Sequence, residues 1–550
     1  MKFSTSQQIG YLTSRNRIVM APMISNLANP DGSTNETHIH YLAERARGGA
    51  GIITTEYTYV DDHNARGSRN ELSITRDDLV PKLRRLTESV HIYGALCFVQ
   101  LVHAGGKALL AGVPQMAPSS VDYIGTTPRE MTRDDIERTQ ESFISAAIRA
   151  RRAGFDGVEL HGAHGYLIQE FISPALNSRD DGYGGSLQNR LRFAQEIIDG
   201  IRGSVETVLG IRLSLYEDDP DGYAPDYGLK CAESLDGIDF VHFSAGRFAP
   251  PGSTASFYHE SPHIAARLPR KPKLTTMVVG SIDSIEAMEK ALEKSDFVSI
   301  GRGLLADPFL AIKAAGRPET IRPCIRCNQG CRNLSWGEVR CTVNPDTGFE
   351  TTGHTTTFSG EIVIIGGGIK GLEASLHASK LGLRVQLHEA SGVIGGQLNE
   401  IWEPMMRREY GRLIEYYRAA LPVAGVEILT DSKYSGKGLS CLPEVLYPSL
   451  PKKDEIFVDS TIYKHLDEAL RISGEARVTI STRSLMYLDR DRAGQFRRIA
   501  ESLGIRFIDF NPEIFHESLI ISDQYDILKA MQSGRLAVDR YLSAMRNDYL

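Results

Sequence analysis

Eight short, nearly continuous apolar runs punctuate the first 320 residues, at 18–20, 51–55, 95–101, 157–160, 208–213, 240–243, 274–279 and 297–300. Runs of this length without strict alternation are the signature of strands buried on both faces. Between them the pattern switches to helical spacing. Over 133–153, Ile136, Phe143 and Ala147 share one face, and Thr132 stands where an N-cap belongs. Eight strands, each followed by a crossover, predict a (β/α)8 TIM barrel, whose usual size is about 250 residues plus insertions. The alternative is an open doubly wound sheet, for which eight such strands are many.

The pattern changes after the barrel. A cysteine-rich segment occupies 321–345, and 346–360 (DTGFETTGHTTTFSG) has no apolar periodicity and serves as a linker. A strand over 361–365, a glycine turn and a helix then open a Rossmann-like region, 361–550. A second strand–helix–strand pattern starts near Glu455, an insert spanning about 450–510. At 550 residues the chain has room for roughly three or four domains. Its 41% apolar and 24% charged content is that of a globular protein. A net charge of -7 gives no reason to expect nucleic acid or an anionic membrane surface, and no apolar run reaches the length of a membrane span. The opening MKFSTSQQIGYLTSRNR lacks the apolar stretch of a secretory signal, so a cytoplasmic location is expected, as is a homo-oligomer. Seven cysteines are too few for a disulfide scaffold, and four of them fall between 324 and 341, which points to metal chemistry in a reducing compartment.

In a barrel, chemistry gathers at the C-terminal ends of the strands. The fourth strand ends in His161-Gly-Ala-His164-Gly-Tyr166. Two imidazoles can donate to a substrate oxyanion, and a phenol two residues on can deliver a proton. No third ligand lies nearby in sequence to make the histidine pair a metal site. Gln100 lies in the third strand, Arg212 in the fifth, and Gly301-Arg302 follows the eighth, where barrels commonly bind phosphate.

Together with NRIVMAPM (16–23), TTEY (54–57), VQLVHAGGK (99–107), ELHGAHGYLIQEFISPALNSRDDGYGGSLQNR (159–190), IRLS (211–214), FSAG (243–246) and SIGRGLLADP (299–308), these residues resemble the Old Yellow Enzyme family of FMN-dependent barrels. The resemblance covers essentially all of 1–320. It implies FMN at the barrel mouth, with Ala21, Pro22 and Met23 lining the flavin and Gln100 and Arg212 at its pyrimidine side. Gly280, Gly301 and Arg302 would hold the phosphate. His161 and His164 would bind a substrate's electron-withdrawing group, and Tyr166 would donate the proton. One departure stands out: Gly106 occupies a position where many relatives carry arginine, and Lys107 is the nearest cation.

The cysteines run Cys324-x2-Cys327-x3-Cys331-x9-Cys341. Four thiolates complete either an iron–sulfur cluster or a tetrahedral zinc ion, and the x3 step departs from paired zinc knuckles. After such a barrel, CIRCNQGC resembles the branch of 2,4-dienoyl-CoA reductase, enoate reductase and trimethylamine dehydrogenase, which implies a 4Fe-4S cluster on these four residues. Cys97, Cys231 and Cys441 read as buried thiols.

At 361–371, EIVIIGGGIKG carries Gly366, Gly368 and Gly371 from a strand into a helix, the pattern that brings backbone N–H groups to a pyrophosphate. Glu389 ends the next strand, 18 residues after Gly371, where an acid meets a ribose hydroxyl. Gly395-Gly396-Gln397 follows as in FAD-binding relatives, so FAD is the expected ligand, with an ADP-type ligand or a vestigial fold as alternatives. The second unit lacks this chemistry. Its strand from Glu455 turns through Asp459-Ser-Thr-Ile-Tyr-Lys464 without a glycine, a poor seat for NAD(P)H. Ser522-Asp523 stands in place of a Gly-Asp that would touch FAD.

Three functions compete. The first is an ene-reductase: NAD(P)H is the donor, electrons pass from FAD through the cluster to FMN, and the substrate is a small alkene activated by an electron-withdrawing group. The second reverses the flow: an amine dehydrogenase or N-demethylase that hands electrons to a transfer protein, for which Tyr57 speaks. In the third, MMRREYGRLIEYYR (405–418) makes the tail a docking module, against the simpler reading of a solvated helix with some buried aromatics.

Overall fold

The computed structural model describes the chain except residues 110–113, 123–124, 218–219, 248–263, 333–336, 351–356, 444–448, 461–462, 487–489, 516–517, 520–525 and 548–550. The eight apolar runs become the strands Ile18–Met20 (β1), Ile52–Tyr59 (β2), Leu96–Val102 (β3), Gly157–Gly162 (β4), Val208–Ser214 (β5), Phe240–Ser244 (β6), Thr275–Val279 (β7) and Phe297–Ile300 (β8). They close into a ring in chain order, every neighbour parallel, which is the TIM barrel. The open sheet is excluded. β2 runs further than its apolar start suggests, because its register against β3 shifts between Thr54 and Tyr57.

Successive side chains along a strand face opposite ways, so the barrel interior is built in layers. The floor is apolar: Val19, Ile52, Phe98, Val208, Phe240, Met277 and Phe297 pack together, and Ile9 of an N-terminal hairpin joins them from below. Two residues further along β3 and β6 the layer turns polar, with Gln100 and His242. The helix expected after Thr132 spans Arg133–Arg152 (α1). It is fixed by a reciprocal capping box in which the Thr132 side chain accepts from Asp135 N–H and the Asp135 carboxylate accepts from Thr132 N–H.

Beyond the cysteines the chain builds two four-stranded parallel sheets. Glu361–Ile365 (β9), Arg384–His388 (β10), Val426–Leu429 (β11) and Leu439–Ser440 (β12) lie in the order β11-β10-β9-β12. Glu455–Ser460 (β13), Arg477–Ser481 (β14), Arg506–Ile508 (β15) and Ser518–Leu519 (β16) repeat that order as β15-β14-β13-β16. The glycine turn leads into Ile369–Lys380 (α2), and the last helix, Ile527–Asn547 (α5), returns to pack against it. Pro404–Val423 (α3) contains the stretch considered as a docking helix. Its aromatics Tyr410, Tyr416 and Tyr417 are buried in the chain's own second core, which explains them without a partner.

Ion pairs fasten these parts. Arg326, from the cysteine segment, reaches Glu409 of α3 at 2.7 Å and Asp283 of the barrel at 3.1 Å. Arg412 meets the same two acids at 2.9 and 3.0 Å. Breaking one partner of such a buried set costs about 3–5 kcal/mol, because it strands a charge out of water. Among the described residues no helix is long and apolar enough to cross a membrane.

Candidate functional site

His161, His164 and Tyr166 do converge. The ring centroids of His161 lie 5.2 Å from His164 and 4.8 Å from Tyr166, both edge-on. His161 falls inside β4, one residue before its end, and His164 adopts a left-handed backbone (φ 61) that turns its ring back over the barrel. There His164 Nε2 meets Ser244 Oγ of β6 at 2.7 Å, and Ser214 Oγ accepts its backbone N–H at 3.2 Å. His161 Nδ1 accepts from Ala163 N–H at 3.3 Å, which leaves Nε2 to carry the proton. Burial, reinforced by Arg212, holds both imidazoles well below the usual histidine range, so both are neutral donors at pH 7.

Tyr57 completes the wall, its ring 5.3 Å from Tyr166 and 6.1 Å from His161. The Tyr57 and Tyr166 phenols are neighbours that influence each other's titration. Burial pushes Tyr166 up to about 12, keeping it protonated. The Lys107 ammonium donates to the carbonyls of His164 (2.5 Å) and Arg247 (2.8 Å) and lies 5.2 Å from the Tyr166 ring centre. Burial lowers it to about 8. Glu170 accepts from Gly106 N–H at 2.9 Å and is raised by burial to about 8. Glu71 accepts from Gly67 and Ser68 N–H and is also raised by burial.

The residues expected to hold FMN lie around the same mouth. Ala21 and Pro22 are buried and Met23 half-buried just beyond β1, with Ala21 N–H bonded to Ile300 O at 3.0 Å. Gln100 Oε1 and Arg212 Nε are buried without a hydrogen-bond partner, and Ser281 Oγ is too. Buried polar atoms left this way mark a place for polar groups of a ligand. Gly280, before Ser281, has φ 131, and a Cβ at Gly301 would come within 2.9 Å of Met23 Sδ. These residues fit FMN. Arg302 Nη1 donates to Asn328 Oδ1 at 2.7 Å, linking the expected phosphate corner to the cysteine segment.

All four of Cys324, Cys327, Cys331 and Cys341 line one small pocket, with Arg302 and Asn328 in the same wall. The loop wraps it through left-handed Arg326 (φ 50) and Asn328 (φ 53). Burial and the neighbouring thiols raise Cys331 to about 12.

At the second sheet, Gly366 takes φ 107, and a Cβ on Gly371 would stand 1.9 Å from Gly366 O, so only glycine lets α2 close on the turn. Gly368 is the N-cap of α2. Glu389 Oε2 accepts from Gly367 N–H at 2.7 Å, and Gly395 N–H donates to Gly367 O at 2.8 Å; Gln397 is exposed beside them. This turn fits a dinucleotide. The third sheet does not share this turn chemistry: buried Asp459, next to last in β13, is bound by Arg483 Nε at 2.9 Å. Ser522-Asp523 lies outside the described residues.

Sequence inspection missed Glu159, His242, Glu71 and Glu170. The available signal was a polar residue at an inward position of an otherwise apolar strand, Glu159 in GVELHG and His242 in FVHFS.

Similarity to known proteins agrees with this geometry. An NADH oxidase of Thermoanaerobacter brockii is 38% identical over 446 residues, 76% of this chain and 68% of that protein. A cinnamate reductase of Clostridium sporogenes is 32% identical over 461 residues, 76% of this chain and 69% of that one. The chain therefore spans about two thirds of these relatives, and the matches run well past the barrel. Two solved structures share the fold along 98% of the chain: a 2-naphthoyl-CoA reductase (TM-score 0.84, 21% identity, 99% of that chain) and a histamine dehydrogenase from Rhizobium sp. 4-9 (0.79, 22%, 96%). With its closed parallel barrel, its mouth of two histidines and a tyrosine, and a family model matched over residues 6–320, the chain belongs to the NADH:flavin oxidoreductase / NADH oxidase family of FMN-dependent enzymes.

Proposed function

We propose that the chain reduces a carbon–carbon double bond activated by a carbonyl or carboxylate group. The observation that carries this is the pairing of two neutral imidazole donors with a protonated phenol around one small volume. His161 and His164 would hold the substrate oxygen and stabilise the negative charge that grows on it as the β-carbon is reduced. Tyr166 would deliver its own proton to the α-carbon. Lys107 and the left-handed turn at His164 keep these groups in register. FMN, held by Ala21, Pro22, Met23, Gln100, Arg212, Gly280, Gly301 and Arg302, supplies the hydride chemistry. Cys324, Cys327, Cys331 and Cys341 would hold a 4Fe-4S cluster, a carrier of single electrons whose cavity shares Arg302 with the FMN phosphate corner. Gly366, Gly368, Gly371, Glu389 and Gln397 would seat FAD as a second flavin. Because the end of β13 carries the buried Asp459–Arg483 pair and no glycine, we infer that reduced nicotinamide meets the barrel mouth instead.

A second reading is oxidation of an amine at FMN with electrons leaving through the cluster to an electron-transfer protein. Tyr57 favours it, as an aromatic face beside Tyr166 suited to an alkylammonium. Anaerobic stopped-flow mixing with NADH, NADPH, enoates and methylamines tests both. The first reading expects flavin bleaching by a nicotinamide and recovery with an enoate; bleaching by an amine alone would replace it with the second.

A further inference from the structure

Beneath the mouth, four buried polar side chains stand on consecutive strands: Gln100 on β3, Glu159 on β4, Arg212 on β5 and His242 on β6. Gln100 is the register partner of Glu159, and His242 that of Arg212. Glu159 is the hub. One carboxylate oxygen accepts from Gln100 Nε2 at 2.5 Å, and the other from His242 Nδ1 at 2.9 Å. Two consequences follow from donor and acceptor inventory. With its NH2 committed to Glu159, Gln100 turns its carbonyl oxygen the other way, where it has no partner. With its Nδ1–H committed, His242 leaves Nε2 as a second unpartnered atom in the same layer, near the unpartnered Nε of Arg212.

A carboxylate 1% exposed needs a reason to be charged. Burial opposes ionisation of Glu159, but His242, Arg212 and the Gln100 amide outweigh it and hold it below the usual carboxylate range. The barrel thus carries a compensated anion directly under the cation expected at the flavin pyrimidine.

We propose that the Glu159–His242 pair is a positioning element of the flavin site: it fixes the Gln100 carbonyl oxygen as an acceptor aimed at the flavin and sets how much of the Arg212 charge a reduced flavin feels. This rests on FMN binding at the barrel mouth, so the test separates the two. FMN per chain is measured on the purified enzyme, and the FMN couple is followed by dye-linked spectroelectrochemistry in wild type, Glu159→Gln and Glu159→Asp. Glu159→Gln keeps a partner for Gln100 but removes the anion. Arg212 is then uncompensated, and the ratio of reduced to oxidised flavin at fixed potential rises about tenfold, a positive shift of about 30 mV for a two-electron couple. Glu159→Asp keeps the charge but withdraws it from Gln100, so FMN affinity falls about tenfold while the couple moves little. A wild-type chain without FMN overturns the flavin site and this proposal together. With FMN bound, an unmoved couple in Glu159→Gln overturns the proposal alone, and if that variant does not fold, unchanged FMN affinity in Glu159→Asp does the same.

Discussion

Replacing Tyr166 by phenylalanine removes one oxygen and one proton from the site and little else. Two effects separate. The buried hydroxyl of Tyr57 loses its polar neighbour, and an unsatisfied buried hydroxyl costs about 1–3 kcal/mol of stability. The larger effect is on rate. A positioned general acid contributes about 10²- to 10⁴-fold, equivalent to about 2.7–5.4 kcal/mol of barrel-mouth catalysis at about 1.36 kcal/mol per decade. The acid lost here is strong in role but weak by nature, held at about 12 by burial, so no ordinary water replaces it efficiently. Nicotinamide oxidation needs no proton from Tyr166, so that half-reaction should stay within about threefold of wild type. Anaerobic stopped-flow absorbance measures the two half-reactions apart. Slowing of flavin reduction as severe as that of enoate reduction, or an oxidative half-reaction unaffected by the change, would refute the role assigned to Tyr166.

Two further outcomes follow from the same structure. Cys341→Ser should lower iron per chain and bleach the visible charge-transfer absorbance of a cluster, while the FMN content stays near that of wild type; iron unchanged at the wild-type level would remove Cys341 from the ligand set. His38 is wholly buried and pushed down to about 4 by burial, so the folded chain stays unprotonated there while the unfolded chain takes up a proton below pH 6.5. Stability from this group is therefore present above pH 6.5 and lost as pH falls towards about 4, at about 1.4 kcal/mol per pH unit. His38→Gln should flatten the acid limb of the denaturant-midpoint curve by that slope, and an unaltered limb would contradict it.

Much of the barrel was legible because strand burial writes itself into sequence as apolar runs, and the β4 motif because His161, His164 and Tyr166 are local. The cysteines and the glycine turn were legible for the same reason: ligand spacing and turn geometry act over a few residues. What stayed hidden depends on partners far apart. Glu159 meets His242 across 83 positions, and Arg326 meets Glu409 across the same number. Nothing in the local pattern of either strand or loop names its partner. Lys107 was visible as a cation, but its ties to the His164 and Arg247 carbonyls require the folded mouth. Helix α3 was legible in outline: the simpler reading, a solvated helix with some buried aromatics, is what the structure gives, and the fold adds which tyrosines are core.

The third sheet poses the sharper question of why a dinucleotide fold persists where its phosphate chemistry is gone. The end of β13 carries an internal ion pair: Asp459 is buried against Arg483, whose guanidinium stacks 3.2 Å from the centre of the Phe510 ring. From that sheet, helix Tyr463–Ile472 (α4) extends Asp467, whose carboxylate accepts the backbone N–H groups of Trp402 and Glu403 at 2.9 and 3.0 Å. Those residues immediately precede α3, and Glu403 caps it by accepting from Met406 N–H at 2.7 Å. α3 in turn carries Glu409 and Arg412 to Arg326 and Asp283, between the cysteine loop and the barrel. The sheet therefore anchors the start of the helix that clamps the cysteine loop. That mechanical task needs the strands and helices of the fold but none of its glycines, and the sequence of the insert is depleted in the same sense.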